Sequence, residues 1–308
     1  MIVVAGFNSS VDRLMEANAV AVGAVTRVRN VIAGPGGKGA HVALTVATLG
    51  EPVRLVGIVD ELHREWFQHF FAARGVEFDA VPVAGSIRTC VAVRDQEGRT
   101  TEFLEPGPTL TSAERTALLD RFRTAASGIS VIVLSGSVPA GVSANAYAEL
   151  TDAVARAGGR VLLDASGTAL RLGMAARPFL VKPNAEEAAS LVGHPVDSIE
   201  AAHAAAATIA AGVTAAVVTL GAQGIVAVWN GRACRVPAPL LPQTGNIVAS
   251  GDCLLGGIAV ALARGGTAND ALQLGVACGA ANALTPEAGL IRRADVEALL
   301  PAIDVRWL

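Results

Sequence analysis

The chain has 308 residues, a formal net charge of −3, 52% hydrophobic residues, 33 glycines and only 4% aromatic residues. This length suits one large α/β domain or two modest domains, and the small net charge argues against a protein built to bind nucleic acid or an anionic membrane. The four cysteines form no C-x-x-C pair and the histidines form no H-E-x-x-H motif. We therefore expect neither a zinc site nor a disulfide framework, and a cytoplasmic location.

Residues 204–231 form a long stretch without a charged residue. That length could span a bilayer, but glycines interrupt it, and the β-branched run from Val213 to Thr219 predicts a buried strand followed by a turn. The N-terminal sequence MIVVAG lacks a basic leader and predicts a first strand rather than a signal peptide. We expect no membrane partner.

The first predicted strand, Ile2 to Phe7, is followed by the polar cluster Asn8 to Asp12. Open α/β sheets bind ligands at the carboxyl ends of their strands. The Asp12 carboxylate is suited to hold sugar hydroxyls there, and equally suited to cap a turn.

Two segments read as exposed β structure inserted into the α/β pattern. Thr26 to Ile32 alternates polar and apolar residues. Ser86 to Arg94 and Arg99 to Leu104 flank a turn and predict a hairpin. We expect the two insertions to pair into a small sheet over the site.

A glycine-rich loop, Gly34 to Gly39, precedes the apolar helix predicted over Ala40 to Leu49 and literally matches G-x-G-x-x-G. Asp60 ends the next strand, as a ribose-binding acid would in a dinucleotide site. A Rossmann oxidoreductase is therefore one alternative. Against it, the motif follows an exposed strand that contains arginine, and the loop carries Pro35 and Lys38. No G-K-[ST] is present, so it is not a Walker A loop, but a Gly loop with Lys38 at a helix N-terminus still favours an anion or a polar sugar.

Strands and helices then alternate, which predicts a doubly wound, mostly parallel sheet flanked by helices. Polar clusters recur at the strand ends, and all such ends share one edge of a parallel sheet. The main clusters are Ser135–Gly141, Asp164–Gly167, Lys182–Glu187 and Leu220–Gly224.

The stretch Asn246 to Cys253 brings small residues to a tight turn before the apolar helix predicted over Leu254 to Arg264. Asp252 would lie at or next to the N-terminus of that helix, where free N–H groups favour negative charge. A carboxylate beside an anion pocket suits phosphoryl transfer, because the amides hold the phosphoryl group while the acid takes a proton from the attacking hydroxyl. The alternative is an aspartate that only caps the helix.

Taken in order, these clusters resemble the PfkB-type, ribokinase-like sugar kinase family, in particular its 1-phosphofructokinase and tagatose-6-phosphate kinase branch. The resemblance covers essentially the whole chain and implies one ribokinase-like domain over residues 1–308, with a small β-sheet lid inserted from about 13–35 and 86–105. The motifs that carry it are Gly36-Gly37-Lys38-Gly39, Ser135-Gly136-Ser137-x-Pro139-x-Gly141, Lys182-Pro183-Asn184-x-x-Glu187, Thr219-Leu220-Gly221-x-x-Gly224 and Gly251-Asp252.

The resemblance implies ATP- and Mg²⁺-dependent phosphorylation of a phosphosugar. Asp252 matches the catalytic base, and the amides of Ala249, Ser250, Gly251 and Asp252 match the anion hole. Asn184 and Glu187 match the pair that organises Mg²⁺ through water. The implied nucleotide contacts are Lys182, Asn184, Thr219, Gly221, Ala222, Gly224, Gly251 and Asn282. The implied sugar contacts are Asp12, Gly36, Gly37, Lys38 and His41. The candidates for the phosphate already on the substrate are Arg27, Lys38, Arg88 and Ser137.

Three positions depart from the family pattern. His41 stands where the family usually has Asn, and it can also donate and accept but with a different reach. Ser250 replaces a usual Gly, at a cost of order 1 kcal/mol if the position needs a positive φ. Cys253 replaces a small or acidic neighbour and reads as a small buried residue.

The expected reaction converts fructose 1-phosphate to fructose 1,6-bisphosphate. Cys90, where the fructose-1-phosphate branch commonly has Asn, weakens that assignment. The alternatives are a tagatose-6-phosphate or fructose-6-phosphate kinase, or a free-sugar or nucleoside kinase of the same family. A non-catalytic sugar or nucleotide sensor is the alternative from another class, since fold alone does not prove activity. The expected partners are the phosphosugar, ATP and, through the lid, a second copy of the chain.

Overall fold

The structure is a computed structural model and describes residues 1–241 and 245–308. Within those residues the chain forms fourteen strands and ten α-helices. The strands are β1 Ile2–Gly6, β2 Ser10–Ala17, β3 Val28–Gly36, β4 Val53–Val59, β5 Val76–Pro82, β6 Arg88–Arg94, β7 Thr100–Leu104, β8 Val131–Ser135, β9 Arg160–Asp164, β10 Leu180–Val181, β11 Ala215–Thr219, β12 Ile225–Trp229, β13 Arg232–Val236 and β14 Arg306–Trp307. The helices are α1 Lys38–Thr48, α2 Arg64–Ala72, α3 Ser112–Ala126, α4 Ala146–Arg156, α5 Gly167–Ala175, α6 Ala185–Val192, α7 Ile199–Ala210, α8 Ser250–Ala263, α9 Ala268–Asn282 and α10 Arg293–Leu299.

A large sheet carries the core, with the strand order β14-β13-β12-β11-β10-β9-β8-β1-β4-β5. The seven strands from β11 to β5 in that order run parallel, and β12, β13 and β14 continue the sheet antiparallel. Continuous apolar strands such as Val131–Leu134, which are fully buried, fit a parallel sheet covered by helices on its faces. The predicted mostly parallel sheet flanked by helices is confirmed.

A second sheet of four strands has the order β3-β2-β6-β7. Its two antiparallel pairs, β2 with β3 and β6 with β7, are joined by parallel pairing of β2 with β6, with Ser10 opposite Arg88. The two inserted β segments therefore pair as the sequence predicted. We call this four-stranded sheet the lid.

The charge-free stretch over residues 204–231 is divided between α7, the parallel strand β11 and the antiparallel strand β12. No helix within 1–241 and 245–308 is both long and apolar enough to cross a bilayer. The apolar character of this stretch reflects burial in the sheet, as its β-branched residues predicted.

Helices α1, α8 and α9 pack together beside β1 and β8. Close backbone approaches make this possible. A Cβ built on Gly39 would lie 2.5 Å from the Gly6 Cα, and one on Gly257 would lie 2.9 Å from the Gly275 Cα. The glycines at these contacts let α1 lie close against β1 and let α8 lie close against α9. The N-terminal turns of α1 and α8 meet where His41 contacts Asp252.

Candidate active site

The carboxyl ends of the parallel strands and the lid enclose a cleft of about 720 Å³. Three elements line it: the strand ends, the loop 246–252 that leads into α8, and the inner face of the lid. The candidate residues that line it are Asp12, Gly37, Lys38, His41, Arg88, Ser137, Lys182, Asn184, Glu187, Thr219, Ala249, Ser250, Gly251 and Asp252. The sequence thus correctly predicted that polar strand ends meet at one edge.

The loop before α8 presents two backbone amides that have no acceptor within the described chain, those of Ala249 and Gly251. The amides of Ser250 and Asp252 instead donate to the carbonyls of Ile247 and Ala249, at 3.2 and 3.0 Å. A Cβ built on Gly251 would lie 3.2 Å from the Lys182 Nζ, so an ammonium borders the same spot. Two free amides, a lysine and the N-terminus of a 14-residue helix make an anion site.

Ala249 precedes α8 with a φ of 70° and a ψ of 2°, which is left-handed backbone. The sequence analysis placed the strain of a missing glycine at Ser250, but Ser250 is the first residue of α8 and has no positive φ. The left-handed residue is therefore one position earlier, and an alanine there costs roughly 1 kcal/mol because its Cβ crowds the following carbonyl.

A stability measurement separates these two positions. We expect Ala249→Gly to raise the free energy of unfolding by about 0.5 kcal/mol, since relief of the left-handed strain exceeds the entropy cost of glycine. The matched change Ser250→Gly should lower it by about 1 kcal/mol or more, because it adds a glycine to a helix and removes a hydroxyl hydrogen bond. Urea denaturation of both variants tests this, and an Ala249→Gly variant less stable than the wild type would contradict it.

Asn282 at the end of α9 holds this loop in place. Its Nδ2 lies 3.1 Å from the Asn246 carbonyl, 2.8 Å from the Val248 carbonyl and 3.0 Å from the Ser250 hydroxyl. Its Oδ1 accepts a hydrogen bond from the Gly289 amide at 2.8 Å. The side chain is fully buried and does not line the cleft. The side-chain amide of Asn282 therefore shapes the loop before α8, and its predicted place near adenine stays a prediction.

Asp12 lies on the lid strand β2 and not in a turn after β1. The Gly37 amide and the Ser10 hydroxyl donate to its carboxylate, at 3.1 and 2.6 Å. A Cβ built on Gly36 would lie 2.2 Å from that carboxylate, and Gly37 has a φ of 97°. The glycine-rich loop therefore serves to admit the Asp12 side chain and to turn the chain into α1. It does not cradle a dinucleotide, since the loop belongs to a lid strand.

Asp252 is buried at the third position of α8, facing His41 of α1. The His41 Nδ1 lies 3.0 Å from the Asp252 Oδ2, and its Nε2 lies 3.1 Å from the Asp12 Oδ2. Residues 211 positions apart are thereby joined. Both ring nitrogens of His41 contact carboxylates. His41 also lines the cleft, and its predicted contact with the sugar stays a prediction.

Asp164, which ends β9, joins the two lysines of the site and was not among the predicted site residues. Lys38 Nζ donates to its Oδ1 at 3.0 Å, and Lys182 Nζ lies 3.0 Å from its Oδ2. Burial alone raises the pKa of the fully buried Asp164 carboxyl, but the charges of Lys182 and Lys38 outweigh it and hold the pKa below its ordinary value of 3.8. The signal that could have found it is an acid directly after a buried parallel strand.

Arg88 and Ser137 meet around Asn8, another residue outside the predicted set. The Asn8 Nδ2 donates to the Ser137 hydroxyl at 2.9 Å, and the Asn8 carbonyl accepts from the Arg88 Nε at 3.1 Å. Lys38 and Gly36 line the same corner. Arg27 does not; it lies exposed before β3 and lines neither this corner nor the cleft.

Glu102 on β7 was not among the predicted site residues, yet it lines the cleft. Burial raises the pKa of its carboxyl, and the charges of Asp12 and Asp252 raise it further, while Lys38 lowers it. The lid therefore brings a third carboxyl group towards the aspartate pair. Its place in an exposed strand gave no sequence signal for this.

The expected nucleotide loop directly follows β11, whose last residue, Thr219, lines the cleft. Thr219 ends β11 and pairs with Asn184 through a parallel bridge. Gly221 and Ala222 are exposed in the following turn, whereas Gly224 is buried. A Cβ built on Gly224 would clash with the Val236 carbonyl. Close packing therefore explains the glycine at position 224, and its contact with the nucleotide stays a prediction.

Asn184 and Glu187 form the capping box of α6. The Asn184 Oδ1 accepts a hydrogen bond from the backbone amide of Glu187 at 2.8 Å. The Glu187 Oε2 accepts one from the backbone amide of Asn184 at 2.9 Å. The other carboxylate oxygen, Oε1, lies 3.7 Å from the Lys38 Nζ at the edge of the cleft. The pair is held rigidly, with one carboxylate oxygen available to a hydrated cation.

Comparison with known proteins agrees with this architecture. Residues 6–293 match the family described as pfkB family carbohydrate kinase. The 1-phosphofructokinase of Xanthomonas campestris pv. campestris is 34% identical over 261 residues, covering 83% of this chain and 82% of that protein. The 1-phosphofructokinase of Rhodobacter capsulatus is 34% identical over 254 residues, covering 82% and 80%. The crystal structure of phosphofructokinase-2 from Escherichia coli in complex with fructose-6-phosphate superposes with a TM-score of 0.85 at 25% identity, covering 98% of both chains.

A ribokinase-like sheet with a small second sheet, an anion site and a buried carboxylate beside it define a phosphotransferase that acts on an alcohol group. The chain belongs to the pfkB family of carbohydrate kinases.

Proposed function

We propose that this kinase transfers the γ-phosphoryl group of ATP to the free primary hydroxyl of fructose 1-phosphate, which yields fructose 1,6-bisphosphate and ADP. The observation that carries the proposal is the buried Asp252 carboxylate beside the free amides of Ala249 and Gly251. The relatives named 1-phosphofructokinase support this choice of substrate.

In the proposed reaction, Asp252 accepts the proton of the attacking hydroxyl. The hydroxyl oxygen bonds to the γ-phosphorus, and the bond from that phosphorus to the β–γ bridging oxygen breaks, so that ADP leaves with the electron pair. The free amides of Ala249 and Gly251 and the Lys182 ammonium stabilise the charge on the transferring phosphoryl group, a task that needs fixed donors rather than covalent chemistry.

The nucleotide and Mg²⁺ would lie on the strand ends beyond the anion site. The exposed turn at Gly221 and Ala222, with Thr219 before it, is open to a nucleotide. Asn184 and Glu187 would hold Mg²⁺ through water, and the ion would neutralise phosphate charge. Among the described residues no three His, Cys, Asp or Glu side chains cluster as metal ligands. A pair of residues suits Mg²⁺, which keeps several waters and is shared with substrate phosphates.

The phosphate already on the sugar would lie at the corner formed by Arg88, Lys38 and Ser137. Arg88 is oriented through its Nε by the Asn8 carbonyl and through one terminal nitrogen, at 3.4 Å, by the Glu105 carbonyl. The position of Arg27 does not support a contact with this corner within one chain, and its part in binding stays a prediction.

Arg88→Ala should raise the KM for fructose 1-phosphate by about 10- to 100-fold with a small change in kcat, because a charged hydrogen bond to phosphate is lost. Steady-state ADP release measures both constants. Arg123→Ala, on the exposed ion pair of α3, is the matched control and should behave as the wild type. An unchanged KM in Arg88→Ala would remove Arg88 from the phosphate site.

The experiment that tests the proposed function is ADP release with Mg-ATP and five acceptors run in parallel: fructose 1-phosphate, fructose 6-phosphate, tagatose 6-phosphate, fructose and ribose. We expect turnover of fructose 1-phosphate and none of the free sugars. Turnover of fructose 6-phosphate or tagatose 6-phosphate instead would identify the chain as a kinase of that sugar phosphate. Turnover of only free sugars would reject the phosphate corner, and no turnover at all would favour a sugar or nucleotide sensor.

The lid supports a further proposal, that two copies of the chain associate through it. Its apolar side chains Val28, Val31, Phe103 and Leu104 are 40%, 40%, 59% and 64% exposed, which is unusual for a sheet of a monomer. We further propose that residues 1–308 form one domain with this lid and that the protein acts in the cytoplasm. A comparison of the sedimentation of the wild type with that of Phe103→Glu measures this association.

A further inference from the structure

His41 is the fourth residue of α1 and is buried. Its side chain bridges two carboxylates from different parts of the molecule. Asp12 belongs to the lid and Asp252 to the helix that forms the anion site. The nitrogen–oxygen distances of 3.1 and 3.0 Å are those of hydrogen bonds, and the His41 side chain is 5% exposed. Gly289 covers the ring so closely that a Cβ there would lie 2.5 Å from its Cδ2. The Gly289 backbone therefore packs directly against the imidazole.

The two contacts constrain the protonation of the ring. A neutral imidazole carries one N–H, so its other nitrogen would point a lone pair at a carboxylate oxygen. Only the imidazolium donates to both Asp12 and Asp252 while both are ionised. Burial lowers the pKa of His41, but the hydrogen bonds and charges of the two aspartates outweigh it and raise the pKa from 6.5 to about 10.

The surrounding charges agree with a protonated ring. Asp12 faces it from β2 and Asp252 from α8, while Glu102 on β7 adds negative charge near both. Burial raises the pKa of Asp12, yet the hydrogen bond and charge of His41, with the donors Ser10 and Gly37, hold it below its ordinary value. Lys38, one turn earlier on α1, is drawn to Asp164. The bridge thus neutralises part of an acidic cluster that a sugar hydroxyl must enter.

We propose that His41 is a positioning residue: as an imidazolium it ties the Asp12 of the lid to the Asp252 base and sets the orientation in which Asp252 meets the acceptor hydroxyl. The Asp252 Oδ2 is used by the bridge, and its Oδ1 makes no hydrogen bond within the described residues, so that oxygen is the one that receives the proton. An asparagine, the usual residue of the family at this position, carries one donor group and one acceptor and cannot donate to both carboxylates through opposite ends. The inference rests on the proposed role of Asp252 as base.

A direct test observes the ring without any assay of turnover. In ¹⁵N-histidine-labelled enzyme, both His41 nitrogens should show imidazolium shifts at about pH 8.5, where an ordinary histidine is neutral. Asp12→Asn and Asp252→Asn should each return His41 to a neutral form at that pH. The exposed His194 supplies an internal reference. A His41 that is neutral at about pH 8.5 in the wild type would overturn the proposal, whatever the enzyme phosphorylates.

A kinetic test separates positioning from a merely structural role. His41→Asn should lower kcat by about 10-fold or more and leave the KM for the phosphosugar within about threefold, because the base is present but less well oriented. The wild type should lose kcat/KM on the alkaline side as the ring deprotonates near pH 10, and His41→Asn should lack that loss. The matched control is His63→Asn, which removes the contact of 2.7 Å between the His63 Nδ1 and the Asp60 carboxylate outside the cleft.

The outcomes distinguish this proposal from the function on which it rests. If no acceptor is turned over but His41 is an imidazolium at about pH 8.5, the bridge stands as a structural fact and the positioning role falls together with the kinase assignment. If fructose 1-phosphate is turned over, and His41→Asn keeps both the wild-type kcat and the loss of kcat/KM at alkaline pH, the proposed kinase activity is supported and the positioning role of His41 is rejected.

Discussion

Asp252→Asn should lower kcat by at least ~10², because the change removes the proposed general base and leaves its neighbours in place. The amide has nearly the shape of the carboxylate and can still accept a hydrogen bond from the His41 Nδ1, so the start of α8 should keep its form. The KM for fructose 1-phosphate should change little, since Asp12 and Arg88 remain to bind the sugar. The effect is therefore expected in kcat, which is the mark of a group that acts in the transition state.

Steady-state ADP release with saturating Mg-ATP measures this effect. Asp120→Asn, which alters an exposed ion pair with Arg123 on α3, is the matched control and should retain wild-type kcat. Circular dichroism of both variants checks that the fold is kept. The structure does not support the alternative of a helix cap, because the N-cap of α8 is Ala249 and the Asp252 carboxylate contacts His41. An Asp252→Asn enzyme that turns over within a few-fold of the wild type would show that Asp252 is not the base.

The order of elements could be predicted because each local pattern agreed with the global fold. The β-branched run from Val213 to Thr219 predicted a buried strand, and the structure has that strand at Ala215–Thr219. Strand β10 has only two residues, Leu180 and Val181, and gains its place from pairing with β9 and β11 on both sides. Strand β14 is equally short and pairs with β13 at the sheet edge. Such strands depend on their neighbours, and no local pattern marks them.

Most of the residues that the sequence predicted for the site line one cleft, but the contacts that arrange them could not be predicted. Asp252 and Lys182 have the residue types that phosphoryl transfer needs. Asp164 and Asn282 become site residues only because the fold brings them next to loops that are distant in sequence. The same holds for the left-handed residue before α8. Because Asn282 fixes the loop from α9, Ala249 adopts the positive φ although alanine does not favour it.

The largest stability effect is expected from Asp164→Asn, at about 3–5 kcal/mol of unfolding free energy. The amide keeps the shape of the side chain but leaves the buried Lys182 ammonium, 3% exposed, without its counter-charge, and an uncompensated buried charge is costly. Lys38 is less affected, because its side chain is 36% exposed and has Glu187 nearby. Phosphate ligands should restore part of the loss, since they offer negative charge at the same lysines.

The pH dependence of this effect has a fixed sign. Because the folded-state pKa of Asp164 lies below its ordinary value of 3.8, the carboxylate stabilises the fold fully above that value and progressively less as the pH falls through the folded pKa. Urea denaturation should therefore show a constant difference between the wild type and Asp164→Asn near neutral pH, and a shrinking difference below about pH 4. Asp304→Asn, in an exposed ion pair with Arg306, is the matched control and should change stability only slightly. Equal effects of the two substitutions would mean that the lysines and Asp164 are far more hydrated than the closed Lys38–Asp164–Lys182 contact implies, and that this contact does not hold the two lysines in place.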